Sequence, residues 1–327
     1  MDNLEFRAMI IRETLDKKIS RKIMLKKIED LPAGDVVVNV EYSSLNYKDG
    51  LSASGNRGVT KNYPHTPGID AAGVVADSNT DAFKPGEKVI VTSYDLGMNT
   101  SGGFSEYIRV PADWVVKLPE GLNTREAMIY GTAGYTAALS VDALIKDVKP
   151  DDGDILVTGA TGGVGSVAIA LLNHLGYSPV AVSGKNTAFD FLKRFGAKQV
   201  ISREEALDQS KKPVLKTRWA GVIDTVGGDI LTTAIKSTKY NGTVTCCGMV
   251  ASPNLSLSVF PFILRNVRLV GIDSQSTPMS LRTQIWNKLA GEWKIQGLEE
   301  VTTEISLKEL EPYFNKILSG NTKGRTV

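Results

Sequence analysis

The sequence is poor in the two side chains that hold most zinc ions in proteins. Its 327 residues include two cysteines, Cys246 and Cys247, and two histidines, His65 and His174. A zinc site requires three or four Cys, His or carboxylate ligands, and the first third of the chain cannot supply such a cluster. We therefore expect no metal ion. Adjacent cysteines also form no disulfide framework, which predicts a reducing, cytoplasmic compartment.

An excess of charge and a long apolar run are absent as well. The formal net charge is +2, whereas nucleic-acid-binding proteins present a broad basic field. No apolar run approaches the ~18 residues needed to span a bilayer, and the N-terminal residues lack the basic-then-apolar order of a secretion signal. These absences predict a cytoplasmic protein without nucleic-acid or membrane partners.

The sequence pattern changes near residue 123. Before that point, β-branched segments at 35–46, 73–77 and 84–93 are separated by glycine and proline, which is typical of a compact, partly open β-barrel. After a helical stretch at 123–144, strands and helices alternate, which predicts a parallel, doubly wound Rossmann sheet. The predicted fold class is therefore α/β.

Two domains follow from these patterns. The predicted strand at 301–305 has no helix partner in the parallel series, so we expect the last segment to return to the first domain. Residues 1–122 and 276–327 are predicted to form the barrel-like catalytic domain, and residues 123–275 the nucleotide-binding Rossmann domain.

A glycine-rich turn lies inside the stretch "VTGATGGVGSVAIALL", residues 157–172. A strand, a tight glycine turn and a helix present the helix N-terminus to a pyrophosphate. Gly162 lacks a Cβ atom, so a diphosphate can approach the backbone, and Gly165 allows the helix to pack closely on the strand. The turn therefore predicts a dinucleotide cofactor.

The end of the second predicted strand indicates which dinucleotide binds. NAD-binding chains carry an acidic residue there, which bonds the ribose hydroxyls. This strand instead ends in Ser183, Gly184 and Lys185, and Arg203 follows the third strand. A hydroxyl and cations suit a 2′-phosphate, so the pattern favours NADPH. The alternative is that both cations are solvated surface residues.

The expected absence of zinc changes the chemistry that is available. Alcohol oxidation is harder without a Lewis acid to stabilise the alkoxide. Hydride addition to an activated C=C bond is more natural, because the negative charge forms on the substrate's carbonyl oxygen and a hydrogen-bond donor can stabilise it there.

The chain resembles the zinc-independent medium-chain dehydrogenase/reductases over its whole length, most closely the branch of acrylyl-CoA reductases and quinone oxidoreductases. The segments that carry the resemblance are "SSLNYKDGL" (43–51), "PHTPGIDAAGVV" (64–75), "GTAGYTA" (131–137), "VTGATGGVGS" (157–166), "VIDTVGG" (222–228), "PFILRNVRLVGIDS" (261–274) and "GRTV" (324–327). Zinc-dependent members have Gly-His-Glu where this chain has Gly68, Ile69 and Asp70.

The resemblance implies a GroES-like β-barrel catalytic domain and NADPH-dependent reduction of an α,β-unsaturated acyl thioester such as acrylyl-CoA. It also implies a homodimer built through the cofactor domains. Two other functions are compatible with the same sequence. The first is a reductase of quinones or free enones, and the second is an NADPH-binding sensor without catalytic activity.

The matching motifs also imply which residues form the site. Tyr47, Asn46 and Asp49 are the candidate catalytic residues, although Asn and Asp favour turns in any protein and Tyr47 could be only a half-buried aromatic. Relatives often have Arg where Lys185 stands, and Lys lacks the bidentate fork. The candidate cofactor contacts are Tyr47, Thr161, Gly162, Gly163, Val164, Ser183, Gly184, Lys185, Arg203, Met249, Ser274 and Arg325.

Overall fold

The structure is a computed structural model that describes residues 4–185 and 188–327, and it divides the chain into two compact units. The first unit contains the chain up to Thr132 together with Ser274–Glu292 and Gln296–Val327. The second contains Ala133–Asp273 and Trp293–Ile295. The first boundary between the two units, after Thr132, lies inside a helix that begins at Thr124. The sequence predicted this boundary at residue 122.

The first unit is built on an antiparallel sheet. Its strands are β3 (Val36–Tyr42), β4 (Asp70–Ser78), β5 (Lys88–Thr92), β6 (Tyr107–Val110) and β7 (Val115–Lys117), in the spatial order β6-β3-β4-β5-β7. Val36, Val38, Val89, Val91 and Ile108 form part of a buried apolar cluster. Residues between them, such as Val37 and Ile90, are buried as well, so both faces of these strands are partly covered.

Besides the start of the helix that begins at Thr124, the described part of the first unit contains two further strand pairs and three α-helices. β1 (Glu5–Glu13) and β2 (Ile19–Lys27) form an antiparallel hairpin over nine residue pairs. Near the C-terminus, β14 (Thr302–Thr303) pairs in parallel with β15 (Arg325–Thr326), and Thr326 O accepts a hydrogen bond from Leu45 N–H at 2.9 Å. The helices are α1 (Tyr47–Ser52), α7 (Met279–Ala290) and α8 (Glu311–Leu318).

The second unit contains a parallel six-stranded sheet. Its strands are β8 (Asp154–Val157), β9 (Ser178–Val182), β10 (Gln199–Ile201), β11 (Trp219–Asp224), β12 (Thr238–Cys246) and β13 (Arg268–Gly271). Their order is β10-β9-β8-β11-β12-β13, which is the 3-2-1-4-5-6 order of the Rossmann fold. The Rossmann prediction is therefore confirmed.

Besides the continuation of the helix that begins at Thr124, the described α-helices of the second unit are α3 (Gly163–His174), α4 (Phe189–Arg194), α5 (Gly228–Ser237) and α6 (Phe260–Arg265). They connect strands that run in the same direction, as parallel pairing requires. Within the part of the chain that the structure describes, no helix has the length and apolar character needed to cross a membrane.

One sequence prediction needs correction. The predicted helix at 123–144 corresponds to α2 (Thr124–Leu144), but the helix is interrupted at Gly131, whose φ of 52° and ψ of −159° are not helical. The backbone turns there because polar groups from other segments, including Ser44, Asp70 and Arg325, meet at this point.

Candidate active site and cofactor-binding turn

The glycine turn of the second unit lies between β8 and α3. Gly159 has a φ of 57°, a conformation that side chains other than glycine rarely adopt. A Cβ atom on Gly165 would lie 2.5 Å from Gly159 O, so the helix packs directly on the turn. Within 4–185 and 188–327, the first N–H groups of α3, at Gly163 and Val164, have no acceptor. These free donors at a helix N-terminus can bind a diphosphate.

The strand ends beside the turn are joined through Asp224. Its carboxylate accepts hydrogen bonds from Thr158 Oγ1 at 2.7 Å and from Gly227 N–H at 2.7 Å. Thr225 N–H in turn donates to Thr158 Oγ1 at 2.9 Å. Burial raises the pKa of Asp224, and these hydrogen bonds oppose the rise. Asp224 therefore holds the ends of β8 and β11 in register beneath the cofactor turn.

The residues predicted for the 2′-phosphate converge after β9. Lys185 N–H donates to Ser183 Oγ at 3.0 Å, which fixes the turn that follows the strand. A Cβ atom on Gly184 would lie 2.9 Å from Arg203 Nε, so the guanidinium lies against the glycine backbone. The structure thus brings one hydroxyl, one lysine and one arginine to the same strand end, as a 2′-phosphate would require.

Two predicted nicotinamide contacts lie in different units. Met249 follows β12 in the second unit and is 69% exposed. Ser274 is the first residue of the 274–292 segment of the first unit, and its carbonyl accepts a hydrogen bond from Arg282. Their contact with a nicotinamide ring stays a prediction.

The first unit contains a buried polar cluster around Asp70, the first residue of β4. Four groups donate to its carboxylate: Ser44 Oγ at 2.5 Å, Asn46 Nδ2 at 2.7 Å, Thr132 N–H at 2.9 Å and Thr132 Oγ1 at 2.5 Å. A buried carboxylate is costly unless it is bonded in this way. Asp70 therefore joins β4 to two segments that are distant in the sequence, one with Ser44 and Asn46 and the other with Thr132.

Arg325 enters the same cluster from β15. Its guanidinium donates to Ile129 O at 2.9 Å and to Ser44 Oγ at 2.8 Å, and it lies 4.0 Å from the Asp70 carboxylate. Burial lowers the pKa of Arg325, whereas the carboxylates of Asp70 and Asp49 raise it. The predicted cofactor contact of Arg325 stays a prediction, because these hydrogen bonds are with its own chain.

The break in α2 lies against this cluster. A Cβ atom on Gly131 would lie 2.6 Å from Asp70 Oδ2 and 2.7 Å from Arg325 Nη2. Arg325 satisfies Ile129 O on one side of the break, and Asp70 satisfies Thr132 N–H on the other. The two buried charges thus replace the hydrogen bonds that the interrupted helix cannot make.

Asp49, a candidate catalytic residue, is fully buried in the first turn of α1. It accepts hydrogen bonds from Asn46 N–H at 2.7 Å, Gly68 N–H at 3.1 Å and Ile69 N–H at 2.9 Å. Burial, together with the nearby Asp70 carboxylate, raises the pKa of Asp49 to about 7, and the three N–H groups oppose the rise. Asp49 therefore ties α1 to the segment that leads into β4.

Tyr47 is the first residue of α1 and is 40% exposed. Asn46 and Asp49, its neighbours in the same turn, are both buried. The structure thus brings the three candidate catalytic residues together in one turn, and among these three only the Tyr47 side chain is exposed. The sequence motifs did not assign a role to Ser44, Gly131 or Thr132, which complete the cluster.

A cavity of about 660 Å³ lies beside the cluster. Its lining includes Ser44, Leu45, Phe104 and Thr326. Ligand sites of this size are common, but Tyr47 does not line this cavity. The cavity is therefore distinct from the surface that the Tyr47 side chain presents.

Comparison with known proteins identifies the family. Residues 32–120 match the alcohol dehydrogenase GroES-like domain, and residues 163–290 match the zinc-binding dehydrogenase family model. The acrylyl-CoA reductase AcuI of Ruegeria pomeroyi is 42% identical over 98% of both chains. The Bacillus subtilis protein YhfP, provisionally named a quinone oxidoreductase, is 43% identical over 98% of both chains. The chain belongs to the medium-chain dehydrogenase/reductases.

Solved structures of medium-chain dehydrogenase/reductases agree with this assignment. The yhdH oxidoreductase of Salmonella enterica, in complex with NADP, superposes with a TM-score of 0.95 at 42% identity and covers 98% of each chain. Bacillus subtilis yhfP with NAD bound superposes with a TM-score of 0.96 at 42% identity, covering 99% of this chain and 98% of that one. The predicted family and its GroES-like domain are confirmed.

Zinc, which the name of one family model implies, does not fit the residues of this medium-chain dehydrogenase/reductase. Among the described residues no group of three or more His, Cys, Asp or Glu side chains could hold a metal ion. His65 Nε2 lies 2.8 Å from Gly97 O, and burial raises the pKa of the Cys247 thiol to about 12. Neither group is disposed as a zinc ligand, which must be deprotonated and grouped with others.

Proposed function

We propose that the protein is an NADPH-dependent reductase that adds hydride to the activated C=C bond of an enoyl thioester, with acrylyl-CoA as the first candidate, and that it acts without a metal ion. The observation that carries the proposal is the first turn of α1. It presents the Tyr47 hydroxyl, a hydrogen-bond donor, on a backbone that the buried cluster around Asp70 immobilises. Such a preorganised donor suits an oxyanion that forms during the reaction.

The residues of the second unit fit NADPH. The N–H groups at the start of α3, together with Thr161 and Gly162, would hold the diphosphate, and Ser183, Gly184, Lys185 and Arg203 would hold the 2′-phosphate. When bound there, NADPH would supply the hydride that reduces the C=C bond. The yhdH relative was solved with NADP and the yhfP relative with NAD. The paired cations after β9 favour NADPH in this chain, because NADH carries no 2′-phosphate to neutralise.

The side chains of the first unit act on the substrate in this proposal. Tyr47 donates a hydrogen bond to the thioester oxygen as the enolate charge develops. The α-carbon then takes up a proton from solvent, so that one hydride and one proton saturate the C=C bond. Asn46 and Asp49 are buried, so we assign them to positioning the turn rather than to contact with the reacting atoms. Arg325 lies 4.0 Å from the Asp70 carboxylate and balances its charge. Met249 and Ser274 remain proposed neighbours of the nicotinamide.

Two hydride acceptors are candidates. One relative, AcuI, is named for acrylyl-CoA and the other, YhfP, for quinone, and their sequence identities to this chain are nearly the same. NADPH oxidation should be followed by absorbance with acrylyl-CoA and with a simple quinone in parallel, and with NADH as the control. Faster turnover of the thioester supports the proposal, and preference for the quinone supports the second candidate. Tight NADPH binding with no turnover would identify a non-catalytic sensor.

A homodimer is part of the proposal. β13 is one of the two edge strands of the described sheet in the second unit, and α6, which leads into β13, exposes Phe260, Ile263 and Leu264. An exposed apolar patch near an edge strand is available for a two-fold contact between two copies of the chain.

The two free cysteines also support a reducing, cytoplasmic compartment.

A further inference from the structure

Lys48 is an unexpected residue for its position in α1. It is the second residue of the helix, where the free N–H groups and the helix dipole favour carboxylates and disfavour cations. Its Nζ donates to Gln275 Oε1 at 2.7 Å, 227 positions further along the chain. A charge-assisted hydrogen bond of this length is a strong one. Lys48 therefore joins α1 to the segment that precedes α7.

Gln275 is itself held through its backbone carbonyl. This oxygen accepts hydrogen bonds from Tyr94 N–H at 3.2 Å and from Arg282 Nη2 at 3.1 Å. Arg282 is fully buried and also donates to Ser274 O at 3.1 Å and to Thr92 O at 3.0 Å. Because a buried guanidinium is costly unless its donors are bonded, Arg282 keeps these carbonyls in place.

The loop that contains Tyr94 has a strained backbone. Ser93 and Tyr94 have φ angles of 65° and 50°, which residues other than glycine rarely adopt in succession. Such conformations persist only where the surrounding structure stabilises them, and they are frequent near functional sites. Here Trp114 stacks on the Tyr94 ring at 5.5 Å, and the Arg282 guanidinium lies 4.4 Å from the ring centre.

The strained loop also reaches the cluster around Asp70. Ser93 Oγ lies 2.9 Å from Thr132 Oγ1, and Thr132 Oγ1 donates to Asp70, which accepts from Asn46 as well. The contacts therefore close on themselves. We name this closed series the polar ring, and it runs through Asn46, Asp70, Thr132, Ser93, Tyr94, Gln275 and Lys48. Tyr47 lies between Asn46 and Lys48 in the chain, and its backbone closes the ring.

We propose that Gln275 is a positioning residue of the reductase: through Lys48 it completes the polar ring that holds the first turn of α1, and so it sets the position of Tyr47. The inference rests on the proposed function, because the polar ring affects catalysis only through the contact between Tyr47 and the substrate. Asp70 and Asp49 hold one side of the turn, and Gln275 holds the other.

A double-mutant cycle on Gln275→Ala and Lys48→Met tests the proposal, with Gln284→Ala on the exposed face of α7 as the control. With acrylyl-CoA we expect kcat to fall about tenfold in each single variant, while KM for NADPH stays within about twofold of the wild-type value. The kcat of the double variant should be no lower than that of the slower single variant. Gln275→Glu keeps an acceptor for Lys48 and should retain about half of the wild-type kcat. Effects that multiply in the cycle would overturn the proposal, as would an unchanged kcat in Gln275→Ala.

Hydrogen exchange tests the same contact without turnover. In Gln275→Ala, the amides of residues 46–53 should exchange about fivefold faster, while those of 279–290 keep the wild-type rate. If acrylyl-CoA is not reduced but exchange at 46–53 increases, the proposed function is wrong and the polar ring is supported. The double-mutant cycle is then repeated with the quinone as substrate. Unchanged exchange at 46–53 would overturn the ring whatever the substrate.

Discussion

Asp70 caps the second half of the interrupted helix α2 by accepting hydrogen bonds from both the backbone N–H and the hydroxyl of Thr132, at 2.9 Å and 2.5 Å. A helix start normally receives this cap from a residue of its own first turn. Here the cap comes from a strand 62 positions earlier. The helix break, the cap and the orientation of Asn46 are therefore one arrangement, and a change at any of them should affect the others.

Gly131→Ala should destabilise the protein strongly. Gly131 has a positive φ, and a Cβ atom would lie 2.6 Å from Asp70 Oδ2. Gly86→Ala is the matched control, since Gly86 has a φ of 92° but nothing within 4 Å of its Cβ position. We expect a loss of about 1 kcal/mol in the free energy of unfolding for Gly86→Ala, and about 2 kcal/mol more for Gly131→Ala. Denaturant titration measures both, and equal losses would show that the cluster tolerates the methyl group.

Asp49 should make stability depend on pH. The folded protein keeps the Asp49 proton up to a pKa of about 7, whereas the unfolded chain releases it near 3.8. Between these values the folded state binds more protons, so this carboxyl lowers the free energy of unfolding as pH rises, by up to ~1.4 kcal/mol per pH unit. Asp49→Asn should remove that slope, and the exposed Asp151→Asn should keep it. A pH-independent difference between wild type and Asp49→Asn would mean that Asp49 is ionised throughout this range.

The two glycines of the cofactor turn should separate binding from stability. Gly162 has a φ of −80°, and a Cβ atom added to it would lie 3.3 Å from the nearest protein atom, Gly159 O. A Cβ atom added to Gly165 would lie 2.8 Å from Ala160 Cα. Gly162→Ala should therefore fold normally but bind NADPH about tenfold more weakly. Gly165→Ala should lose about 1–3 kcal/mol in the free energy of unfolding. Fluorescence titration and thermal unfolding compare the pair, and a destabilised Gly162→Ala with normal affinity would contradict the assignment.

Lys185 and Arg203 should determine the preference for NADPH over NADH. Lys185→Glu and Arg203→Glu place a carboxylate beside the proposed 2′-phosphate, so we expect NADPH affinity to fall by about tenfold or more while NADH affinity changes by about threefold or less. Lys212→Glu, at an exposed position after β10, is the control. Equal losses for both dinucleotides would remove these residues from the phosphate site.

The apolar surface of α6 should mediate self-association. Ile263 is exposed on α6, the helix that leads into the edge strand β13, and a charge there would be buried in the proposed dimer. Ile263→Asp should therefore convert the proposed dimer into a monomer by light scattering. Leu15→Asp, on an equally apolar but isolated exposed residue between β1 and β2, should leave the dimer intact. A monomeric wild type would refute the proposed assembly.

Local patterns in the sequence were sufficient for most of the second unit. The alternation of strands and helices predicted the parallel sheet, and the spacing of Gly159, Gly162 and Gly165 predicted the turn before α3. Both signals arise within a few residues, since side-chain periodicity and backbone conformation are local properties. The β1–β2 hairpin was not among the predicted strands, because its second strand is only half-buried and alternates weakly.

The sequence by itself therefore determined the class of fold, the cofactor turn and the scarcity of metal ligands, and its motifs singled out Asn46, Tyr47, Asp49 and Arg325. The tertiary structure decided what most of these residues touch. Arg325 meets Ile129 across 196 positions and Lys48 meets Gln275 across 227. Hydrogen-bond partners this far apart leave no periodic trace in the chain, because packing of the whole unit is what brings their atoms to 2.9 Å and 2.7 Å from each other.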